Sequence, residues 1–212
     1  MQNQNTQYYT FLSVLFVSVL LMANIIGEKP LLFGSFIIPA GLLLFPISYV
    51  LGDILTEIYG FTKARQVIWM GLWMNILLAV ICQLVIRLPT VDTWQQSEAY
   101  AEILGSSSRL MVISVMTYII SELSNAYLVA KFKEKIPGYF WLRALCANWI
   151  GVAIETALFV PLSFYGRISN EALFNLFFFY YIFKVLYALC AIPFASKLVS
   201  ILKKKEMSPI VI

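Results

Sequence analysis

The chain has 212 residues, of which 61% are apolar and only 12% are charged, and its mean hydropathy is +0.83. Soluble domains carry roughly a quarter of charged residues and about half apolar residues, so this composition excludes a water-soluble fold. The net charge of +4 does not indicate nucleic-acid binding, because the basic residues stand in short clusters beside apolar spans. We therefore expect one transmembrane domain over residues 1–212, with no ATPase or other large domain outside the bilayer.

Histidine is absent from the sequence, which excludes histidine-based acid/base catalysis and histidine-bound zinc. Cys82, Cys146 and Cys190 stand alone in apolar stretches without metal or redox spacing, so we expect them to be small buried apolar residues. Neither a metal nor a cofactor is predicted. The first ten residues carry no Lys or Arg ahead of the apolar run, which favours a retained first span over a signal peptide.

A helix needs roughly 20 mainly apolar residues to cross a bilayer, and six segments of the sequence meet that length. The predicted class is therefore an all-α, polytopic membrane protein with six transmembrane helices. Their approximate bounds are 8–26, 40–59, 67–86, 110–130, 140–164 and from 172 to the lysine run at 203–205. Between the first two spans, Gly34 and Pro39 predict a short re-entrant or interfacial piece. The stretch 88–109 is predicted to be a polar loop.

The distribution of Lys and Arg predicts the orientation in the membrane. With six spans, successive loops alternate between the two sides. One side collects Lys63, Arg65, Lys131, Lys133, Lys135, Arg143, Lys197, Lys203, Lys204 and Lys205. The other side collects Lys29, Arg87, Arg109 and Arg167. The more basic side is the cytoplasmic one, so both chain termini are predicted to lie in the cytoplasm.

An internal repeat is an open alternative to a bundle without symmetry. Spans one and four each carry an asparagine, Asn24 and Asn125, and spans two and five each carry acidic residues. Two three-helix halves would have inverted topology, which is common among transporters.

The second span holds the densest polar pattern of the chain. Tyr49, Asp53, Glu57 and Gly60 follow one another at about one helical turn, so they share one face of the helix. Ionisable groups within a span cost a few kcal/mol each on insertion scales and usually face a bundle interior or a water-filled cavity. We therefore predict that this face looks into the protein.

Three later spans carry comparable faces. They are formed by Tyr118, Glu122 and Asn125 on span four, Asn148 and Glu155 on span five, and Tyr180, Lys184 and Tyr187 on span six. Four such faces exceed what one structural ion pair requires, which indicates a polar site for a solute. The structural alternative stays open: Lys184 would neutralise one carboxylate, Glu57 and Arg143 would reach the cytoplasmic edge, and the asparagines would only link helices.

The polar spans also resemble a known family. The main match is the run Phe45-Pro46-Ile47-Ser48-Tyr49, then Asp53-Ile54-Leu55-Thr56-Glu57-Ile58-Tyr59-Gly60, then Ala64-Arg65. Further matches are Ala23-Asn24 and Lys29, Trp141-Leu142-Arg143, Glu155-Thr156 and Phe159, and Lys184, Tyr187 and Pro193. These motifs, spread over about residues 15–200, resemble the queuosine-precursor transporter family, also described as the vitamin uptake transporter family. Span five departs from the pattern, since the resemblance implies Asp where this chain has Glu155 and an upstream Gln where it has Gly151 or Val152.

The resemblance implies an inner-membrane importer of 7-deazaguanine bases, the cyano and aminomethyl precursors of the tRNA nucleoside queuosine. The pairing edge of such a base can be read by a carboxylate, and its face can be stacked on by aromatic rings. The predicted substrate-binding residues are Asn24, Phe45, Tyr49, Asp53, Arg143, Asn148, Glu155, Lys184 and Tyr187. Within that set Glu155 is the predicted acceptor for the base edge and Lys184 the donor. Asn24 would orient the ligand, and Asp53 would meet the cationic aminomethyl form.

No phosphate-binding glycine-rich loop occurs in the sequence, so we predict alternating access without ATP hydrolysis by this chain. Several acids inside the spans face one deep cation, Lys184, which predicts proton coupling through Glu57 and Glu122. The predicted partners are a small-molecule base, the lipid bilayer and a second copy in a homodimer.

Three other functions stay open alongside import by this chain alone. One is a substrate-capture subunit of a partner-driven vitamin or heterocycle importer. Another is an intramembrane hydrolase with Asp53 and Glu57 as paired carboxylates, although an enzyme is not the favoured interpretation. The third is a scaffold without a ligand.

Overall fold

A computed structural model describes residues 6–27, 29–34, 36–91, 93–105, 108–166 and 168–206. In chain order the elements are α1 (Thr6–Gly27), β1 (Pro30–Phe33), β2 (Phe36–Pro39), a 3₁₀ turn (Ala40–Leu43), α2 (Phe45–Tyr59), α3 (Phe61–Ile86), α4 (Ser97–Gly105), α5 (Ser108–Lys135), α6 (Phe140–Phe164) and α7 (Asn170–Glu206). Within these ranges, six helical segments are long and apolar enough to cross a membrane. The predicted all-α polytopic class is confirmed, while the inverted repeat stays a prediction.

Helix α2 lies at the centre of the bundle. It packs against α1, α3, α5, α6 and α7. In its span, 67% of the most apolar window is buried by protein, against 22–39% in the other five spans. The polar face of this helix is therefore enclosed by the neighbouring helices, whereas the other spans present most of their surface to lipid.

The sequence explains where α2 begins and ends. Pro46 stands in the first turn, where a helix needs no intrahelical N–H and a fixed φ favours the fold. Gly60 follows the last residue with φ 83°, a left-handed conformation that glycine adopts without strain. The chain then turns directly into α3 at Phe61.

Residues 30–39, predicted to be a short re-entrant or interfacial piece, form a β-hairpin. Leu31 pairs with Ile38 and Pro30 with Pro39 in an antiparallel ladder, and Gly34 at the tip has φ 61°. Ile38 is buried in a cluster with Leu42, Val160 and Tyr180, so the hairpin packs onto α6 and α7. Short apolar runs fit a strand and a helix equally well, which is why the sequence alone did not identify it.

The predicted polar loop at 88–109 contains a helix, α4, packed beside α3. Glu98 stands in its first turn, a favourable position near the positive end of the helix dipole. The prediction of a plain loop is therefore wrong for this segment. The described residues do not include Asp92, Arg167 or part of the Gly-Ser-Ser-Ser turn that follows α4.

The prediction that the cysteines are buried is also wrong. Cys190 is exposed, and Cys82 and Cys146 are only half-buried. All three lie on membrane spans, where lipid tails supply an environment as apolar as a protein core. An apolar residue type therefore does not imply burial by protein in this fold.

Candidate functional site

A cavity of about 150 Å³ opens in the half of the bundle where α1 ends and α5 and α7 begin. Its lining residues are Ala23, Asn24, Gly27, Pro39, Leu42, Phe45, Ser114, Glu155, Phe159, Phe164, Tyr180 and Lys184. Small-molecule pockets usually measure about 300–1,000 Å³. The smaller volume here suits a ligand of one or two fused rings.

Glu155 of α6 and Lys184 of α7 form an ion pair at this cavity. Lys184 Nζ lies 2.8 Å from Glu155 Oε2, and the two side chains are 4% and 5% exposed. The hydroxyl of Tyr49 on α2 donates to the same oxygen at 2.9 Å. Among the described residues nothing donates to Glu155 Oε1, and Lys184 Nζ has no second acceptor. The pair is therefore held in place from three helices and keeps one acceptor and further N–H donors for a ligand.

Aromatic rings form one wall of the cavity. Phe159 and Tyr180 lie nearly parallel, with ring centroids 6.1 Å apart and an interplanar angle of 21°. Phe164 meets Phe159 edge-on at 6.2 Å. Tyr180 belongs to the polar face predicted for span six, whereas the sequence analysis missed Phe164. Flat rings beside an ion pair are suited to a planar ligand with a polar edge.

Asn24 at the end of α1 is fixed by a residue that sequence reasoning missed. Its Nδ2 donates to Asn75 Oδ1 on α3, and Asn75 Nδ2 in turn donates to the Gly71 carbonyl at 2.8 Å. Asn75 is 4% exposed. A single asparagine in the apolar helix α3 was the available signal, because an amide inside a membrane span needs a partner.

Asp53 lies below the cavity and does not line it. It is 1% exposed, and its two oxygens accept from Asn125 Nδ2 at 2.7 Å and Asn148 Nδ2 at 2.6 Å. A void of about 10 Å³ is lined by Tyr49, Asn148 and Lys184 among others, with room for about one water molecule. Both Asp53 oxygens are thus occupied by amides.

At the opposite end of the bundle, Glu57 gathers cations from three other helices. Arg143 Nη2 lies 2.6 Å from Glu57 Oε2, Lys203 Nζ contacts Oε1, and Lys133 Nζ lies 3.6 Å from Oε1. Glu57 is 1% exposed, whereas the two lysines are 46% and 41% exposed. We call these four residues the Glu57 cluster. It links α2, α5, α6 and α7 where α1 begins and α7 ends.

Glu122 of α5 has a different environment from every other buried acid. It is 0% exposed, and within the described chain neither carboxylate oxygen has a hydrogen-bond partner. Its Oε1 lies over Gly52 of α2, where any added Cβ would overlap it. The glycine therefore provides the space in which this carboxyl group sits.

The nine predicted substrate-binding residues thus fall into three sets. Asn24, Phe45, Glu155 and Lys184 line the cavity. Tyr49 reaches the cavity only through its hydrogen bond to Glu155. Asp53, Arg143, Asn148 and Tyr187 lie outside the cavity lining. Tyr187, half-buried on α7, shares a face with Lys184 only approximately, because three residues correspond to less than one full helical turn.

Comparison with known proteins gives two matches. A family model described as "Putative vitamin uptake transporter" matches residues 39–198. A protein of Bacillus subtilis (strain 168) named "Probable queuosine precursor transporter" is 23% identical over 158 residues, which cover 74% of this chain and 69% of that protein. No solved structure matches the chain. The family match includes Glu155 and Lys184 and begins after Asn24.

Proposed function

The chain belongs to the vitamin uptake transporter family, and we propose that within it this protein imports 7-deazaguanine precursors of queuosine in their cyano and aminomethyl forms. Membership of a transporter family makes transport the activity of this multi-pass membrane protein. The name of the Bacillus subtilis relative supports the substrate class. The basic residues support an orientation in the inner (plasma) membrane with both termini in the cytoplasm.

The single observation that carries this proposal is the Glu155–Lys184 pair beside stacked aromatic rings. A guanine-like edge presents two adjacent N–H donors and a carbonyl acceptor. Glu155 Oε1 supplies an acceptor for the donors, as acidic side chains do when they read amino groups on bases. Lys184 Nζ supplies a donor for the carbonyl, and Asn24 in the lining of the same cavity is available to orient the base.

The aromatic wall adds affinity for the flat face of the base, whichever groups its edge carries. A base stacked on an aromatic ring gains about 1–3 kcal/mol. The nearly parallel rings of Phe159 and Tyr180 form part of the lining, to which α2 adds Phe45. A purine-like ring can therefore lie between apolar faces while its edge meets the ion pair.

Alternating access is supported by a difference between the two ends of the bundle: a cavity opens at one end, and side chains fill the other. The cavity occupies the outer half if the termini are cytoplasmic. Below it, the amide contacts of Asp53 and then the Glu57 cluster fill the interior. Import requires the Glu57 cluster to separate after the substrate has bound, because it joins four helices across the path.

Proton coupling is supported by the imbalance of buried charge. Outside the Glu57 cluster, the buried acids are Asp53, Glu122 and Glu155, and the described spans bury one further cation, Lys184. Uptake that draws on a proton gradient would supply the missing positive charge. Of the two predicted coupling acids, Glu57 already has cations at both oxygens, whereas Glu122 has none.

The substitution Glu155→Gln tests the substrate proposal. It keeps the shape of the side chain but replaces the acceptor oxygen pair by an amide. A hydrogen bond to a charged group is worth about 1.5–3 kcal/mol, so we expect binding and uptake to fall roughly 10–100-fold. The measurement is queuosine in the tRNA of a strain that cannot make deazaguanines and is fed them at low concentration.

Glu98→Gln on α4 is the matched control, since Glu98 is exposed and remote from the cavity. It should support normal queuosine formation, and both variants should reach the membrane at equal levels. Normal uptake by Glu155→Gln would contradict the proposal. Uptake by the purified chain in proteoliposomes, without an ATPase, would separate this function from that of a substrate-capture subunit.

A further inference from the structure

We propose that Glu122 is the proton-binding site of the transporter and that its carboxyl group carries the coupling proton while the cavity is open as seen here. The inference rests on the proposed function, since it assigns one step of that transport cycle to one side chain. It is carried by three features of the described chain: the lack of partners at Glu122, the negative surroundings, and the glycine that makes room for the group.

The first feature is the isolation of both carboxylate oxygens. Glu122 is 0% exposed, and no described donor reaches Oε1 or Oε2. The ion pairs of Glu57 and Glu155 supply a cation to each of those acids, and none of them reaches Glu122. An ionised carboxylate without a hydrogen bond or a counter-charge is very costly in an apolar interior, and such a group is neutralised instead.

The second feature is the sign of the charges that face Glu122. Glu122 faces Tyr49 and Asp53 of α2 and Glu155 of α6. On its own helix it faces Tyr118. Asp53 and Glu155 oppose a further negative charge, and the two tyrosines bring no positive one, since the Tyr118 hydroxyl donates to Ser48 Oγ at 2.8 Å and that of Tyr49 to Glu155. The remaining neighbours add no compensating cation.

Helix α1 contributes the Phe16 ring beside the same glycine. Helix α3 has no Asp, Glu, Lys or Arg between Arg65 and its end at Ile86. On α7 the buried Lys184 is bound to Glu155. A proton on Glu122 is therefore the positive charge that this part of the interior lacks.

The third feature distinguishes Glu122 from the other buried acids. Glu57 is bound by cations, Glu155 by Lys184 and Tyr49, and Asp53 by two amides. Among the glycines that the structure describes, Gly52 is the one at which an added Cβ would overlap a carboxylate oxygen, that of Glu122. The space over Gly52 thus encloses a carboxyl group to which no described cation is bound, and this arrangement favours the protonated, neutral form.

The space that Glu122 occupies over Gly52 is also close to the substrate cavity. Tyr49 donates to Glu155 at the cavity, and its hydroxyl lies 2.5 Å from Ser121 Oγ, one residue before Glu122. A ligand that engages Glu155 therefore acts on side chains adjacent to the proton site. In the coupled step the O–H bond of Glu122 breaks, the proton leaves to water on the cytoplasmic side, and the carboxylate regains a proton from the outer side.

The test uses Glu122→Gln, a neutral side chain of the same shape, in proteoliposomes of the purified full chain. For the wild type we expect an inside-alkaline gradient to concentrate a labelled deazaguanine severalfold over the outside. For Glu122→Gln we expect exchange of labelled for unlabelled base without a gradient, and no accumulation above the outside concentration when the gradient is applied. Glu98→Gln should behave as the wild type in both assays.

Accumulation by Glu122→Gln equal to that of the wild type would overturn the inference. Loss of both exchange and accumulation in this variant would also overturn it. Accumulation driven by a sodium gradient in place of a proton gradient would overturn it as well. Infrared spectroscopy of the purified protein gives a readout that needs no substrate. The C=O band of a protonated carboxyl group should be present in the wild type and in Glu98→Gln and absent from Glu122→Gln.

The two readouts separate the inference from the proposed function. A wild-type protein that shows the band but does not exchange deazaguanines would contradict the substrate proposal alone. A wild-type protein that exchanges deazaguanines without the band would contradict the assignment of the proton to Glu122.

Discussion

Inside the described spans, each buried ionisable side chain has surroundings that fit a different task. Glu155 and Lys184 face the cavity with unused hydrogen-bonding capacity. Glu57 and Arg143 belong to a cluster at the other end of the bundle. Buried ion pairs contribute little net stability compared with apolar residues of the same shape. A pair that borders a cavity is therefore better explained by binding than by stability.

Lys184→Met removes the cation and leaves Glu155 buried beside Tyr49. Removal of one partner from a buried pair typically costs about 3–5 kcal/mol, because the other charge stays without compensation. We expect a clear fall in the thermal unfolding midpoint of the purified protein. The double variant Glu155→Gln/Lys184→Met removes both charges and should recover most of that loss. A double variant as unstable as Lys184→Met would show that packing of the lysine stem, not its charge, matters there.

Helical spacing predicted that Tyr49, Asp53 and Glu57 look into the protein, and all three are buried. It could not identify their partners, because those come from distant parts of the chain. Lys203, which stands 146 residues from Glu57, belongs to a lysine run that reads as a solvated helix end. Its long aliphatic stem lets the charged group reach back to the buried acid, and no sequence pattern records that contact.

At the scale of the elements, the site depends on close approach of backbones. The 3₁₀ turn before α2 packs directly on α1, and a Cβ on Gly41 would overlap the Ala23 carbonyl and lie 3.2 Å from Gly27 Cα. Ala23 and Gly27 both line the cavity. Gly41, which does not itself line the cavity, thus positions the part of the wall that α1 forms.

Gly41→Ala should destabilise the protein, because the overlapping atoms belong to the backbone and cannot rotate away. Overpacking of this kind typically costs about 1–3 kcal/mol, and the thermal unfolding midpoint should fall accordingly. Gly105→Ala on α4 is the matched control. Its added Cβ meets the mobile end of the Ile86 side chain at 3.2 Å, so we expect little change. Equal midpoints for the two variants would contradict this account of the packing.

The long spans were predictable because about 20 apolar residues in succession have few alternatives to a membrane helix. The predicted fifth span, 140–164, coincides with α6. The hairpin at 30–39 and helix α4 were not predictable on the same basis. Both are short, so tertiary contacts such as the packing of Ile38 on Val160 and Tyr180 decide their conformation.

For the whole molecule, the Glu57 cluster should control access from the end that carries the chain termini. Thr56, the residue immediately before Glu57, is 1% exposed, and its hydroxyl has no partner among the described residues. A cysteine at this position would report opening of the bundle with little change in shape.

We expect Lys203→Met to increase the rate at which a thiol reagent labels Thr56→Cys in the purified protein. The native cysteines are first replaced by alanine. Lys203→Met removes one of the cations that join α7 to Glu57, so the closed arrangement loses an ion pair. Lys197→Met, an exposed lysine on the same helix, is the control and should leave the rate unchanged. A rate that is the same in both variants would show that the cluster does not hold this end closed.

Tyr49 and Glu57 stand on the same helix, separated by about 12 Å along its axis. One contacts the ion pair of the cavity, and the other anchors three neighbouring helices at the far end. A straight helix moves as a rigid rod, so a tilt of α2 changes both sets of contacts in a single motion. In the proposed transport cycle, such a tilt would link release of the substrate to resealing of the pathway without a separate signal.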